Sequence, residues 1–171
     1  MKPNMVATIK ATIIAIALAA AGSQAAVIGQ GQAPDRSLVG VWLVKITPRN
    51  CATGAPIPAA AFEALYTFHE DKTMLVSFRN NVLTLERTAG HGLWRRDLGW
   101  SDYSFKYVHI RRTVSTGAFA GLQEGAGTLV LSESGDEFTT DGSSQIFDVD
   151  GNPAGTAGCS NSVGTRFKLE P

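Results

Sequence analysis

The chain has 171 residues, with 15 basic and 15 acidic side chains and a formal net charge of zero. This balance argues against a nucleic-acid-binding protein, because such proteins usually carry a basic excess that neutralises phosphates. Charged residues make up 18% of the chain and apolar residues 44%, so it is not a disordered polyelectrolyte. The length suits one domain with a substantial core, and two cysteines are too few for a four-cysteine zinc site.

The first 25 residues have the pattern of a secretory signal peptide. Lys2 and Lys10 give a basic start, residues 11–21 are apolar apart from one threonine, and Ser23 and Ala25 supply the small residues of a cleavage site. A membrane anchor is the alternative, but the apolar run has 11 residues where a spanning helix needs roughly 20. We therefore expect an exported protein, periplasmic or extracellular, with no stable membrane insertion once the leader is removed.

Removal of the leader leaves residues 26–171, which carry a net charge of −2. In an oxidising compartment, Cys51 and Cys159 are expected to form a disulfide. Two free thiols are the alternative, and a redox pair is disfavoured because the chain has no Cys-x-x-Cys spacing. We predict a linker over residues 26–37 and a single domain over residues 38–171.

The remaining chain has the pattern of a series of short strands. The first covers residues 38–47, which are dense in β-branched and aromatic side chains, and it stops at Pro48. Residues 89–92 are expected to be a break and residues 150–153 a turn, because of their glycine, asparagine and proline content. About eight strands at intervals near ten residues predict an antiparallel sandwich or barrel. The further predicted strands are residues 62–69, 73–79, 82–88, 93–98, 103–113, 125–134, 137–149 and 162–169.

Alternation along residues 103–112 separates two faces of the clearest predicted strand. One face carries Tyr103, Phe105, Tyr107, His109 and Arg111. Aromatic residues of other strands could join this face to line a cavity, namely Phe68, Phe78 and Trp94. A barrel of about eight strands either fills its interior with side chains or holds one small ligand. A cavity above roughly 300 Å³ would distinguish these outcomes.

Gly40-Val41-Trp42, in the first predicted strand, resembles the Gly-x-Trp signature of the lipocalins and the wider calycin superfamily. The resemblance implies an all-β, antiparallel up-and-down barrel of about eight strands, in which Gly40 lets the first strand bend and Trp42 closes one end. It also implies that Arg166, in the last strand, lies across the tryptophan. Three longer segments, at residues 46–58, 90–94 and 147–153, resemble uncharacterised bacterial exported proteins that are expected to be lipocalin-like barrels.

Two possible metal sites are not favoured. Calcium-loop spacing is found in Asp148, Asp150 and Asn152, but Pro153 stands where such a loop needs glycine, and a solvated turn is the simpler interpretation. A zinc site would require three histidines from separate segments to converge, namely His69, His91 and His109. No two of them are close in the sequence, so nothing supports such a site. We therefore predict neither a metal nor another cofactor.

Neighbouring arginines at residues 95–96 and 111–112 could form a basic mouth for an anionic ligand. On a strand, however, adjacent side chains point to opposite faces, so at most half of these arginines can converge. Solvated charges near strand ends, paired with nearby acids, are the simpler interpretation.

The favoured function is that of a non-enzymatic exported barrel that binds a small apolar or amphipathic molecule. One alternative is a filled-barrel structural or protein-interaction module of the envelope. The other is an isomerase or cyclase of calycin-like fold, in which Tyr107 or His109 moves a proton. The chain contains no phosphate-binding glycine loop, nucleophile elbow or zinc-protease helix. The predicted ligand-binding residues are Trp42, Phe68, Phe78, Trp94, Phe105, Tyr107, His109 and Arg111.

Overall fold

The structure is a computed structural model that describes residues 36–79 and 84–169. The predicted signal peptide, nearly all of the predicted linker and the first part of the predicted strand at residues 82–88 lie outside the described residues. Within the described part of the chain, no helix is long and apolar enough to cross a membrane.

Nine strands and one short 3-10 helix are found in the described residues. The helix covers Pro58–Ala60, between the first two strands. The strands are β1 (Gly40–Arg49), β2 (Phe62–Phe68), β3 (Thr73–Phe78), β4 (Leu85–Arg87), β5 (Gly90–Arg96), β6 (Asp102–Thr113), β7 (Phe119–Leu131), β8 (Glu137–Phe147) and β9 (Pro153–Arg166).

These strands form a closed, eight-stranded, antiparallel up-and-down barrel. They follow chain order around the barrel, and the pairing of β1 with β9 closes it. The short strand β4 and strand β5 both pair with β6, at different positions, so they act as two parts of one interrupted barrel strand. The predicted all-β barrel of about eight strands is confirmed, and the architecture is consistent with a lipocalin-like barrel.

The barrel interior places large side chains opposite small ones. Aromatic residues enter mainly from β2, β3 and β6, whereas β7, β8 and β9 contribute glycines and hydroxyl-bearing residues. A Cβ on Gly125 would lie 2.3 Å from the Tyr107 ring, and one on Gly164 would lie 2.2 Å from the Phe138 ring. Glycine at these positions therefore gives the aromatic rings the space to pack.

The predicted break at residues 89–92 is wrong, because β5 begins at Gly90. A Cβ on Gly90 would lie 2.5 Å from His109 Cε1, and one on Gly92 would lie 2.2 Å from the Lys106 carbonyl oxygen. These glycines let β5 lie close to atoms of β6, and they do not form a turn.

The first strand continues past its predicted end, and the last strand begins well before its predicted start. β9 begins at Pro153 because β1 and β8 supply partners on its two sides, although its first half has the composition of a loop. β1 continues through Pro48, whose carbonyl oxygen accepts a hydrogen bond from the Ile57 N–H. Since the N and O atoms of one strand residue point the same way, the Pro48 nitrogen faces away from β9, and its missing N–H costs no bond in that ladder.

Candidate ligand-binding cavity

A cavity of about 230 Å³ lies inside the barrel, in the half farther from Trp42. We call its two sides the aromatic wall and the hydroxyl wall. The aromatic wall consists of Phe62, Tyr66, Phe78, Phe105 and Tyr107, from β2, β3 and β6. The hydroxyl wall consists of Thr140, Ser144, Ser160 and Ser162, from β8 and β9, together with the amide of Gln123 from β7.

The volume limits what the cavity can hold. It falls below the roughly 300 Å³ that we expected of a ligand pocket, at the lower bound of the usual range for small-molecule sites. The barrel is therefore neither solid nor wide enough for a large ligand, and only a small molecule fits.

Tyr66 and Tyr107 form the polar centre of the aromatic wall, with their ring centroids 6.2 Å apart. Burial raises the pKa of Tyr66 well above its ordinary value, and the neighbouring Tyr107 raises it further. Burial also raises the pKa of Tyr107, while the neighbouring Tyr66 and Arg87 act in the opposite direction. Both phenols are therefore neutral at neutral pH, where they serve as hydrogen-bonding groups.

Arg87 reaches the cavity from β4. Its guanidinium carbon lies 4.9 Å from the Phe78 ring centroid and 5.7 Å from that of Phe62, so cation–π contacts hold it against the aromatic wall. Burial lowers the pKa of Arg87, and nearby Arg111 lowers it as well, while Tyr107 acts in the opposite direction. An arginine side chain nevertheless keeps its charge in proteins. The sequence did not single out Arg87, because alternation along the predicted strand at residues 82–88 does not show which of its faces points inward.

His109 is buried on the same face of β6 but does not line the cavity. Its Nδ1 donates to the Thr88 carbonyl oxygen at 2.8 Å, and its buried Nε2 has no hydrogen-bond partner among the described residues. Burial lowers the pKa of His109 to about 4; the Thr88 bond raises it, while Arg87 and His91 lower it further. His109 is therefore a neutral packing residue at neutral pH.

The opposite end of the barrel is closed by Trp42, which is fully buried. Its Nε1 donates to the Leu38 carbonyl oxygen at 3.0 Å, and the Phe138 ring centroid lies 4.8 Å away. The Arg166 guanidinium carbon lies 4.3 Å from the Trp42 ring centroid, and the guanidinium donates to three backbone carbonyl oxygens. Gly40 has a φ of +135°, which favours glycine. This geometry agrees with what the Gly-x-Trp resemblance implies.

The predicted ligand-binding residues separate into three groups in the structure. Those that line the cavity are Phe78, Phe105 and Tyr107. Those that belong to the packed core outside the cavity are Trp42, Phe68 and Trp94. His109 and Arg111 lie next to the residues that line the cavity. His109 contacts the Tyr107 ring, and Arg111 is the cross-strand partner of Arg87. Sequence reasoning did not select Phe62 and Tyr66, although their alternation on β2 was a usable signal.

The predicted disulfide between Cys51 and Cys159 is confirmed. Their Cα atoms lie 5.3 Å apart, and the residues are separated by 108 positions in the sequence. The bond joins the loop after β1 to β9. Because Cys159 is also among the residues around the cavity, the disulfide fixes this loop beside the cavity.

The two metal sites that the sequence disfavoured gain no support. Asp148 accepts hydrogen bonds from the backbone N–H groups of Asp150 and Asn152, at 3.0 and 2.8 Å, so its carboxylate stabilises the turn between β8 and β9. No group of three or more histidine, cysteine or acidic residues in the described part of the chain is arranged to hold a metal ion.

A larger concavity, of about 760 Å³, lies on the outer surface of β1, β2, β3 and β9. It is a shallow groove between outward-pointing side chains, including Leu43, Leu65 and Val163. At its edge, Arg79 and Glu63 approach each other to 4.0 Å. Small-molecule sites usually enclose most of the ligand, so the interior cavity is the better candidate despite its smaller volume.

A scan against models of known protein families finds no match to this chain, and a search of the curated proteins finds no relative.

Proposed function

We propose that this protein is an exported β-barrel that binds one small amphipathic molecule in the interior cavity. The observation that carries the proposal is the division of that cavity into an aromatic wall and a hydroxyl wall. A ligand with an apolar face and a polar edge would contact both walls at once, as in most small-molecule sites.

The cavity supports ligand binding over a filled-barrel interaction module because the interior retains about 230 Å³ of space beside the hydroxyl wall, although this volume is below the roughly 300 Å³ expected of a ligand pocket. The same residues favour binding over an isomerase or cyclase. Burial raises the pKa of Tyr107 and lowers that of His109 to about 4, whereas an efficient general acid or base has a pKa near the working pH.

The proposed location is the periplasm or the extracellular space. The Cys51–Cys159 disulfide supports it, since such bonds persist mainly in oxidising compartments. The signal-peptide pattern of the first 25 residues supports it independently.

The test begins with native mass spectrometry of protein purified without denaturation, to detect a molecule that copurifies with it. Binding of that molecule, or of small aromatic probes if none copurifies, is then measured by NMR titration on the wild type and two β9 variants. Ser162→Leu fills the cavity, because Ser162 is buried and lines it. Thr165→Leu is the matched control, because Thr165 is exposed on the outside of the same strand.

We expect Ser162→Leu to weaken binding by at least about tenfold and Thr165→Leu to leave it unchanged. Thermal melts of both variants show whether each is folded. Equal affinity in the wild type and a folded Ser162→Leu variant would place the ligand outside the cavity and contradict the proposal.

A further inference from the structure

The outside of the barrel carries a group of exposed aliphatic side chains on four neighbouring strands. We call it the outer aliphatic patch; it comes from β9, β1, β2 and β3 and consists of Val163, Val41, Leu43, Leu65 and Leu75. These residues are 37% to 52% exposed. Single apolar residues are common on protein surfaces, whereas a contiguous patch of them marks an interaction site.

The strand register makes the members of the patch neighbours. Leu43 and Leu65 are direct cross-strand partners. Leu75 lies diagonally beside Leu65, because it is two positions from Ser77, the partner of Leu65. Val163 lies diagonally beside Leu43 for the same reason. Direct and diagonal neighbours on one face of a sheet are close enough to contact each other, so the patch is continuous.

Two opposite charges lie side by side at one edge of the patch. Lys45 and Glu63 are cross-strand partners, two residues along from Leu43 and Leu65. Within the described part of the chain, Lys45 enters no ion pair, and Glu63 approaches only Arg79, at 4.0 Å. The Glu63 side chain is 78% exposed, so both charges are accessible to another molecule.

A second copy of this chain complements both features. A two-fold axis parallel to the strands, midway between β1 and β2, places each of these strands against the other strand of the second copy. Leu43 of one copy then faces Leu65 of the other. Lys45 faces Glu63 in the same way, and the symmetry forms this ion pair twice. The strands of the two copies run nearly parallel, which is a usual arrangement for two sheets packed face to face.

The size of the patch sets the expected affinity. Four strands about 4.8 Å apart and seven residues at about 3.3 Å each span roughly 19 by 23 Å, or about 440 Å² in projection. A stable interface buries roughly 800 Å² on each partner. We therefore expect a reversible dimer with a Kd of about 1–100 μM.

We propose that the outer aliphatic patch is the interface of a symmetric homodimer. A second copy is the occupant because Lys45 and Glu63 complement themselves under the two-fold axis, and the aliphatic side chains between them and the far edge bury one another. This inference goes beyond the proposed function, since the patch lies outside the barrel and the cavity lies inside it.

The experiment is sedimentation equilibrium over about 1 μM to 1 mM protein, with the disulfide intact. The patch is tested with Leu43→Glu. Its matched control is Ile110→Glu, because Ile110 is 42% exposed on the outer face of β6, across the barrel from β1. The ion pair is tested with Lys45→Glu, Glu63→Lys and the double reversal. Thermal melts show which variants are folded, and the wild-type measurement needs no variant at all.

We expect a monomer–dimer equilibrium for the wild type and for Ile110→Glu, and dimerisation at least about tenfold weaker for Leu43→Glu. Each single charge reversal should weaken the dimer by at least about tenfold, because it places like charges opposite each other, and the double reversal should restore it. A wild type that stays monomeric at about 1 mM would overturn the proposal and leave the patch to a different partner. Equal dimerisation of Leu43→Glu and Ile110→Glu would place the interface elsewhere, and a double reversal that stays as weak as the single ones would overturn the two-fold arrangement.

Discussion

Replacing Trp42 with alanine should destabilise the barrel by about 4 kcal/mol. The side chain is fully buried, and removal of the indole uncovers on the order of 150 Å² of apolar surface, which at about 25 cal/mol per Å² amounts to nearly 4 kcal/mol. Loss of the hydrogen bond to the Leu38 carbonyl and of the contact with Arg166 adds to this figure. Measured costs for buried Trp→Ala changes are roughly 3–5 kcal/mol, so the expected value lies within that range.

The assay is urea unfolding at neutral pH with the disulfide intact, followed by far-UV circular dichroism, because removal of a tryptophan changes the fluorescence signal itself. Trp100→Ala is the matched control: Trp100 is 36% exposed, and Arg36 contacts its ring at 5.1 Å. We expect this control to cost about 1 kcal/mol or less. If Trp42→Ala does not fold, Trp42→Phe keeps a ring and should cost about 1–2 kcal/mol.

A cost for Trp42→Ala below about 1 kcal/mol, with an unchanged urea dependence, would refute the conclusion that Trp42 closes the barrel. A double-mutant cycle with Arg166→Met isolates the cation–π contact, and we expect a coupling of about 1–2 kcal/mol because both groups are largely desolvated. A coupling near zero would mean that Arg166 stabilises the barrel end only through the carbonyl groups to which it donates.

Three further predictions concern stability. The pKa of His109 is about 4 in the folded state and about 6.5 in the unfolded state. Between pH 4 and 6.5 the imidazole is therefore protonated only in the unfolded state, and the protein loses stability as the pH falls through this interval. The full shift corresponds to about 3 kcal/mol. Urea unfolding of His109→Leu should lack this loss. Replacing both cysteines with alanine should cost about 2–4 kcal/mol in the same assay, and an unchanged midpoint would show that the disulfide does not restrain the unfolded chain. Gly125→Ala should cost about 1–3 kcal/mol, because its Cβ would overlap the Tyr107 ring. Gly142→Ala should cost less, because the nearest atom to its Cβ would lie 3.4 Å away. A greater loss of stability for Gly142→Ala than for Gly125→Ala would contradict the packing described.

Local patterns in the sequence were sufficient to predict the fold class. Alternation along β6 separated its two faces, because successive strand residues point to opposite sides of a sheet whatever their partners are, and the structure shows that the face with Tyr103, Phe105 and His109 points inward. The Gly40-Val41-Trp42 motif indicated the closed end of the barrel, and the pairing of Cys51 with Cys159 was predicted from the redox compartment alone.

Strand ends were less predictable, because they depend on partners that are distant in the chain. The first half of β9 has the composition of a loop, yet it is a strand because β1 and β8 pair with it on both sides. The composition around Gly90 and Gly92 predicts a turn, but the glycines are needed there because atoms of β6 lie close to both of them.

The sequence by itself thus predicted a series of antiparallel strands, in a sandwich or a barrel, and a bridge between its two cysteines, while a barrel with a closed end at Trp42 was what the Gly-x-Trp resemblance implied. Only the tertiary structure decided which aromatic residues line a cavity. Phe68 and Trp94 are packed in the core outside the cavity, whereas the small residues of β7–β9 leave space beside Tyr107. The tertiary structure also brought Arg87 into that cavity, since a single arginine acquires a site only when the strands around it close into a barrel.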